Sequence, residues 1–300
     1  MKKPDVAKVT FKAKNSVYGL AVSPDSKLIG SVSCDRNMQI WDAATGAQLY
    51  KTYTGYTWME LITFSPAGDI VACGYGPISL YSTRTGKLLK KLSGLENYRD
   101  KLERIVFSSD GRYIATFTRF VKRNVLVVWE VNTGKILWKT FMLEGKSIPR
   151  FHSVEFTTGN LLIAVDWDGL FIVDFKKGGI TFQKEIDTGN GMYRYIKPVG
   201  KYVVCVFDFC RLEIYDCKAF KLVKKLQMKD EISAMDVSKD GKIAMITGDD
   251  DKIVVRDIKD LSVIKTINDP FGDMIKTLAI APNGKFVVAC SDNYIKRFDL

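Results

Sequence analysis

Val17-Tyr18-Gly19-Leu20-Ala21-Val22-Ser23-Pro24-Asp25-Ser26 opens a pattern to which the rest of the chain keeps returning. The apolar run with partial alternation predicts a strand, and the Ser-Pro-Asp-Ser stretch breaks it with turn residues. Leu28-Ile29-Gly30-Ser31-Val32-Ser33-Cys34 reads as a second strand with small side chains, Asp35-Arg36-Asn37 as a second turn, and Met38-Gln39-Ile40-Trp41-Asp42 as a third strand. Thr45-Gly46 turns the chain again before Gln48-Leu49-Tyr50-Lys51-Thr52-Tyr53. The unit is a four-stranded meander of about forty residues.

Its first turn recurs. The last residues of the turns, Ser26, Gly68, Gly111, Gly159, Gly200, Gly241 and Gly284, step by 42, 43, 48, 41, 41 and 43 residues. A second register agrees: the third-strand residues Trp41, Tyr81, Trp129, Val173, Tyr215, Arg256 and Phe298 step by 40, 48, 44, 42, 41 and 42. Seven repeats of a four-stranded sheet predict an all-β chain, a seven-bladed β-propeller. The blades fall at about 17–53, 59–92, 102–141, 153–186, 193–226, 232–267 and 275–300, together one domain over 1–300. The last blade stops after its third strand, while Asp5 to Ala13 reads as a strand ahead of the first. The N-terminal strand is therefore expected to complete the last blade and close the ring, leaving no missing edge.

On these residues the chain resembles the WD40 family: a Ser-Pro-Asp-x turn, an Asp in the second turn, Ile40-Trp41-Asp42 and then a Thr-Gly turn. It departs from the family too. WD40 blades often carry a Gly-His whose imidazole joins the turn Asp and the Trp, yet His152 is the single histidine, and only the first blade ends its third strand in Trp-Asp. The blades are therefore expected to rest mainly on apolar packing.

Catalysis finds little footing in the sequence. A hydrolytic triad needs a positioned base, for which His152 alone is available, and there is no Gly-x-Ser-x-Gly elbow or phosphate-binding glycine loop. Asp249-Asp250-Asp251 occupies a second turn, where the family resemblance places a structural Asp, so a solvated turn is expected in place of a cation site. Cys34, Cys73, Cys205, Cys210, Cys217 and Cys290 show no CxxC pair, and four of them, Cys34, Cys73, Cys205 and Cys290, fall on second strands as buried thiols. No cofactor, metal or small-molecule substrate is inferred, and the chain reads as no enzyme. Neither an apolar signal segment nor a run long enough to cross a membrane is present, so a cytoplasmic or nuclear location is expected.

What remains is binding. The family resemblance implies that second turns and blade connections share one face, the top. Those loops gather Tyr56, Trp58, Tyr75, Tyr98, Arg119, Phe120, Lys122, Arg123, Arg150, Trp167, Tyr193, Arg194 and Arg211, the aromatic and arginine types that interface centres favour. Loop charge looks polarised, positive around Arg119, Lys122 and Arg123 and negative around Asp249 to Asp251. A lysine also recurs in the fourth strands, at Lys51, Lys90, Lys139, Lys184, Lys224 and Lys265. Lysine on an outer strand discourages edge-to-edge pairing, and with a net charge of +11 it could form a basic rim for phosphates. The resemblance implies a scaffold that binds proteins or peptides as a subunit of a larger assembly. The alternative is an RNA-contacting subunit of a ribonucleoprotein particle that uses the rim and the bottom turns.

Overall fold

Alternating apolar runs cut by Gly, Asn and Asp turns leave little besides strands and turns. The structure, a computed structural model, describes residues 5–56, 59–92, 94, 101–118, 125–140, 151–166, 169–177, 179–185 (backbone only), 192–248, 252–268 and 270–300. Blade one consists of β2 (Val17–Val22), β3 (Leu28–Ser33), β4 (Asn37–Asp42) and β5 (Gln48–Tyr53), preceded by β1 (Val9–Lys12). Blade two has β6 (Leu61–Phe64), β7 (Ile70–Gly74), β8 (Ile78–Ser82) and β9 (Leu88–Leu92); blade three has β10 (Leu102–Phe107), β11 (Tyr113–Thr118), β12 (Val125–Glu130) and β13 (Ile136–Lys139). Blade four has β14 (Ser153–Phe156), β15 (Leu162–Val165), β16 (Gly169–Asp174) and β17 (Gly179–Glu185); blade five has β18 (Tyr193–Val199), β19 (Tyr202–Phe207), β20 (Arg211–Asp216) and β21 (Leu222–Gln227). Blade six has β22 (Ile232–Val237), β23 (Lys242–Thr247), β24 (Lys252–Asp257) and β25 (Val263–Ile267), and blade seven β26 (Thr277–Ile280), β27 (Phe286–Ser291) and β28 (Tyr294–Asp299).

Six sheets run in chain order, and the seventh is ordered β1-β28-β27-β26. The N-terminal strand is thus the fourth strand of the last blade, with Val9 opposite Arg297 and Phe11 opposite Ile295. The arrangement is a seven-bladed β-propeller. Two compact units make up the chain, one of Met1–Gly74, Tyr81–Leu88 and Met228–Leu300, the other of Tyr75–Leu80 and Leu89–Gln227.

In the first unit the apolar faces of blades seven and one meet around Phe11, Val17, Trp41, Phe286 and Ile295. Trp41, 3% exposed, donates its indole N–H to Ser31 Oγ at 2.9 Å and meets Phe11 edge-on at 5.9 Å between centroids. The second unit repeats the scheme with Phe117, Phe151, Phe156, Phe171 and Phe175 in one cluster and Ile163, Tyr193, Phe207 and Phe220 in another.

The fourth strands explain the exposed aliphatics. A bulge recurs at Leu49, Leu137, Val223 and Ile264 where each of these strands begins, and all four side chains are exposed. Bulges twist an outer edge away from pairing.

The cysteines divide by location. Burial pushes the Cys73 and Cys290 thiols up to about 12 and Cys217 to about 11. Cys34, expected on a strand, instead begins the turn after β3 and is half-buried, as is Cys210. A thiol reagent applied to native protein near pH 8 should label Cys34 and Cys210 well before Cys73, Cys205, Cys217 and Cys290, read by peptide mass mapping.

Trp41→Ala should cost about 3–5 kcal/mol in a denaturant melt, as loss of a large buried aromatic does. Deleting residues through Ala13 should lower the melting temperature as well, because it strips Phe11 from Trp41 and uncovers β28.

Candidate functional site

Consecutive blades of the second unit are stitched by charge. Arg104 on β10 donates its Nε to Glu155 Oε1 on β14 at 2.9 Å, and a terminal guanidinium nitrogen donates to the same oxygen. Lys197 Nζ on β18 lies 3.2 Å from it. First strands of blades three, four and five are tied together by one buried carboxylate. Burial pushes the Glu155 carboxyl up, but Arg104 and Lys197 outweigh it and hold the group below the usual carboxylate range.

Blade five adds a second construction at its second-turn end. Tyr193 lies opposite Phe207, and Phe207 opposite Arg211, so three strands place these residues in one row. Between Tyr193 and Tyr195 the register slips by one residue, Arg194, and a bulge re-aims the side chain it carries. The Arg194 guanidinium carbon sits 3.8 Å from the centroid of Phe209, and that of Arg211 4.0 Å from Phe207. Asp208 and Phe209 both take left-handed backbone, φ 46° and 60°. A bulky aromatic rarely does so, and such strain gathers at sites that something else holds in place.

Beneath the arginines is a fixed base. Glu213, 4% exposed, accepts from Arg211 Nε at 2.6 Å with one oxygen. Its other oxygen accepts from the hydroxyls of Tyr193 at 2.8 Å and Tyr215 at 2.6 Å. Burial pushes both tyrosine hydroxyls up, with a further rise from the Tyr215 hydroxyl for Tyr193 and from Glu213 for Tyr215. Both stay protonated and donate at neutral pH. The Arg194 Nε is buried with no hydrogen-bond partner among the described residues.

Several expectations need correction here. Tyr193 does not offer a contact surface: it is fully buried and donates its hydroxyl to Glu213. Tyr56 and Tyr75 are half-buried, the former packed against the cluster of Met38, Met59 and Tyr81, the latter giving its carbonyl to Leu102 N at 3.0 Å. Arg194 and Arg211 are brought together with Phe207 and Phe209, which sequence reasoning missed. The signal was available, since an Asp stands at the middle of the second turn in blade one, Asp35, where blade five has Phe209. Trp58, Tyr98, Arg119, Phe120, Lys122, Arg123, Arg150 and Trp167 lie outside the described residues, as does Asp249 to Asp251 and the side chain of Lys184.

Nor do the fourth-strand lysines form one belt. Tyr50 pairs with Ile40, Lys224 with Ile214 and Lys265 with Val255, whereas Lys51 pairs with Gln39 and Lys139 with Val127, one residue out of step. Strand side chains alternate faces, so a one-residue offset sends the two sets to opposite sides. Lys51 bonds Asp35 at 3.0 Å. Lys90 donates to the carbonyls of Val131, at 3.3 Å, and Asn132, and Lys265 to that of Asp299.

A profile of the WD domain, G-beta repeat, matches residues 7–42 and 262–299, the closing strand with blade one and the end of blade six with blade seven. WD40 repeats thus occupy residues 7–42 and 262–299 of a seven-bladed β-propeller. This WD40 propeller is 30% identical over 110 residues to telomerase protein component 1 of Rattus norvegicus, a match that covers 35% of the chain and 4% of that protein. The chain therefore spans a small fraction of that curated relative. Its fold superposes on the β-propeller domain of Cps50 (Swd1) of Myceliophteria thermophila with a TM-score of 0.83 at 13% identity, covering 99% of this chain and 100% of that one. At that identity the likeness is one of fold. WD40 propellers are generally protein-interaction scaffolds. Among the described residues no helix is long and apolar enough to cross a membrane, and no group of three or more His, Cys, Asp or Glu is placed to hold a metal ion.

Glu155→Gln should destabilise the WD40 propeller by about 1–3 kcal/mol at neutral pH, leaving Arg104 and Lys197 with a neutral acceptor and no charge to balance theirs. A depressed carboxyl contributes stability above its ordinary value of 4.5 and loses it as the pH falls through the folded value. The gap between variant and wild type in urea melts should therefore close in acid.

Proposed function

We propose that this WD40 propeller is a non-enzymatic interaction scaffold, a subunit of a larger assembly that takes a peptide or protein segment on its second-turn face. The observation that carries the reading is the arginine and aromatic ledge of blade five, where Arg194 and Arg211 are half-exposed and each is backed by a phenylalanine ring. Arginine and aromatic side chains held rigid in this way are what binding hot spots are made of, because little freedom is lost when a partner docks. The rat relative is a protein component of telomerase, which suits a life within an assembly.

The RNA-contacting reading rests on the net charge of +11. Lys51, Lys90 and Lys265 are already engaged with the chain itself, which takes them from the proposed rim.

Affinity capture from native lysate, with and without ribonuclease and at two salt concentrations, separates the two. Protein partners that persist through ribonuclease and salt are the expected result. Partners that vanish with ribonuclease would move the assignment to RNA, whose binding falls steeply with salt.

A further inference from the structure

We infer that Arg194 and Arg211 form a carboxylate-binding ledge for an acidic segment of a protein partner. The inference deepens the scaffold reading by giving its partner a chemistry. Each guanidinium is held flat against a ring, 3.8 Å over Phe209 and 4.0 Å over Phe207. A stacked guanidinium is pre-aimed, and its planar fork matches a carboxylate.

The two arginines are fixed differently. Arg211 spends Nε on Glu213, which Tyr193 and Tyr215 hold from below, and among the described residues its terminal nitrogens have no hydrogen-bond partner. Glu213 is thus a positioning residue. Arg194 stands on a bulge with Nε buried and unpartnered among the described residues.

Aromatic placement argues against single-stranded RNA at this ledge. Bases bind such surfaces by stacking on open ring faces. Phe207 is 3% exposed, and Phe209 already has Arg194 on its face. Those rings serve the arginines first, whereas Asp and Glu side chains need only the forks.

The test uses the full chain and a fluorescent glutamate-rich peptide, titrated by anisotropy at moderate salt. Arg194→Ala with Arg211→Ala should weaken binding roughly tenfold or more, the loss expected for charged hydrogen bonds. Lys176→Ala with Lys177→Ala removes the same charge from two exposed positions and should leave affinity near wild type. Equal loss in both double variants would mean diffuse attraction to a basic protein and would overturn the ledge. Arg194→Lys with Arg211→Lys keeps the charge and removes the forks; unchanged affinity there would also overturn it, and it serves if the alanine pair melts abnormally. Displacement of the peptide by polyuridine on the wild type, with no response to the arginine variants, would count against it equally. Failure here is distinct from failure of the scaffold reading: partners captured from lysate by wild type and arginine variants alike would leave the scaffold standing with its docking surface elsewhere.

Discussion

Within the first unit, blade one leans on blade seven and blade two on blade one through the tight turn between the third and fourth strands, and the packing there depends on that contact. In blade one the turn glycine, Gly46, takes φ 79°, and a Cβ there would come within 2.8 Å of Val9 on the closing strand. Blade two repeats the fit: Gly86 takes φ 68°, and a Cβ would strike Tyr50 and Thr52 of blade one. Tyr50 then reaches across to donate its hydroxyl to Thr83 O at 2.6 Å. A single four-stranded sheet has two faces to cover and cannot cover either alone, so neighbour contact of this kind is what makes the repeat stable. Where blades five and six lack the glycine, Phe220 and Leu261 keep the left-handed turn and are buried.

Polar contacts contribute more at these seams than the loss of the family's histidine network suggests. In the second unit, Ser109 reaches Asn160 at 2.6 Å and Thr158 reaches Gly200 O at 3.2 Å, which links first turns from blade to blade. In the first unit, Lys242 donates to Gly284 O at 2.8 Å and Ser26 accepts from Asn283 N at 3.2 Å, the same device in other residues. These bonds lie at or near the surface, and at a seam the partner fixes how one sheet sits on the next.

Much of this was legible in the sequence because a propeller writes its period into its turns. The first turns and the residue in the place of Trp41 recur at similar spacing, and the pairings Ile29 with Trp41, Ile114 with Trp129 and Val203 with Tyr215 confirm that register. The closing strand could be read from the fourth strand that blade seven lacks. Side-chain facing was less legible. Lys51 and Lys224 look equivalent when counted back from the end of their strands, yet a one-residue offset in pairing places them on opposite faces. Tyr193 failed for a related reason: its neighbour Arg194 is bulged, so the burial boundary falls between two adjacent residues. The ledge depends on Phe207 and Glu213, ordinary strand residues that only the pairing of three strands brings together.

The strand that completes blade seven comes from the opposite end of the chain, and this imposes an order on biogenesis. As a ribosome releases the chain, β1 emerges before the other strands of the propeller and its partner β28 after them. Throughout synthesis the first-made strand has exposed backbone donors and acceptors and an apolar Phe11 with no finished blade to receive them. Contacts this distant in sequence form slowly, and unpaired strands are where nascent chains associate wrongly. The short length of β1, four residues, and the lysines at Lys8 and Lys12 flanking its core, limit what a wrong partner could gain during that wait.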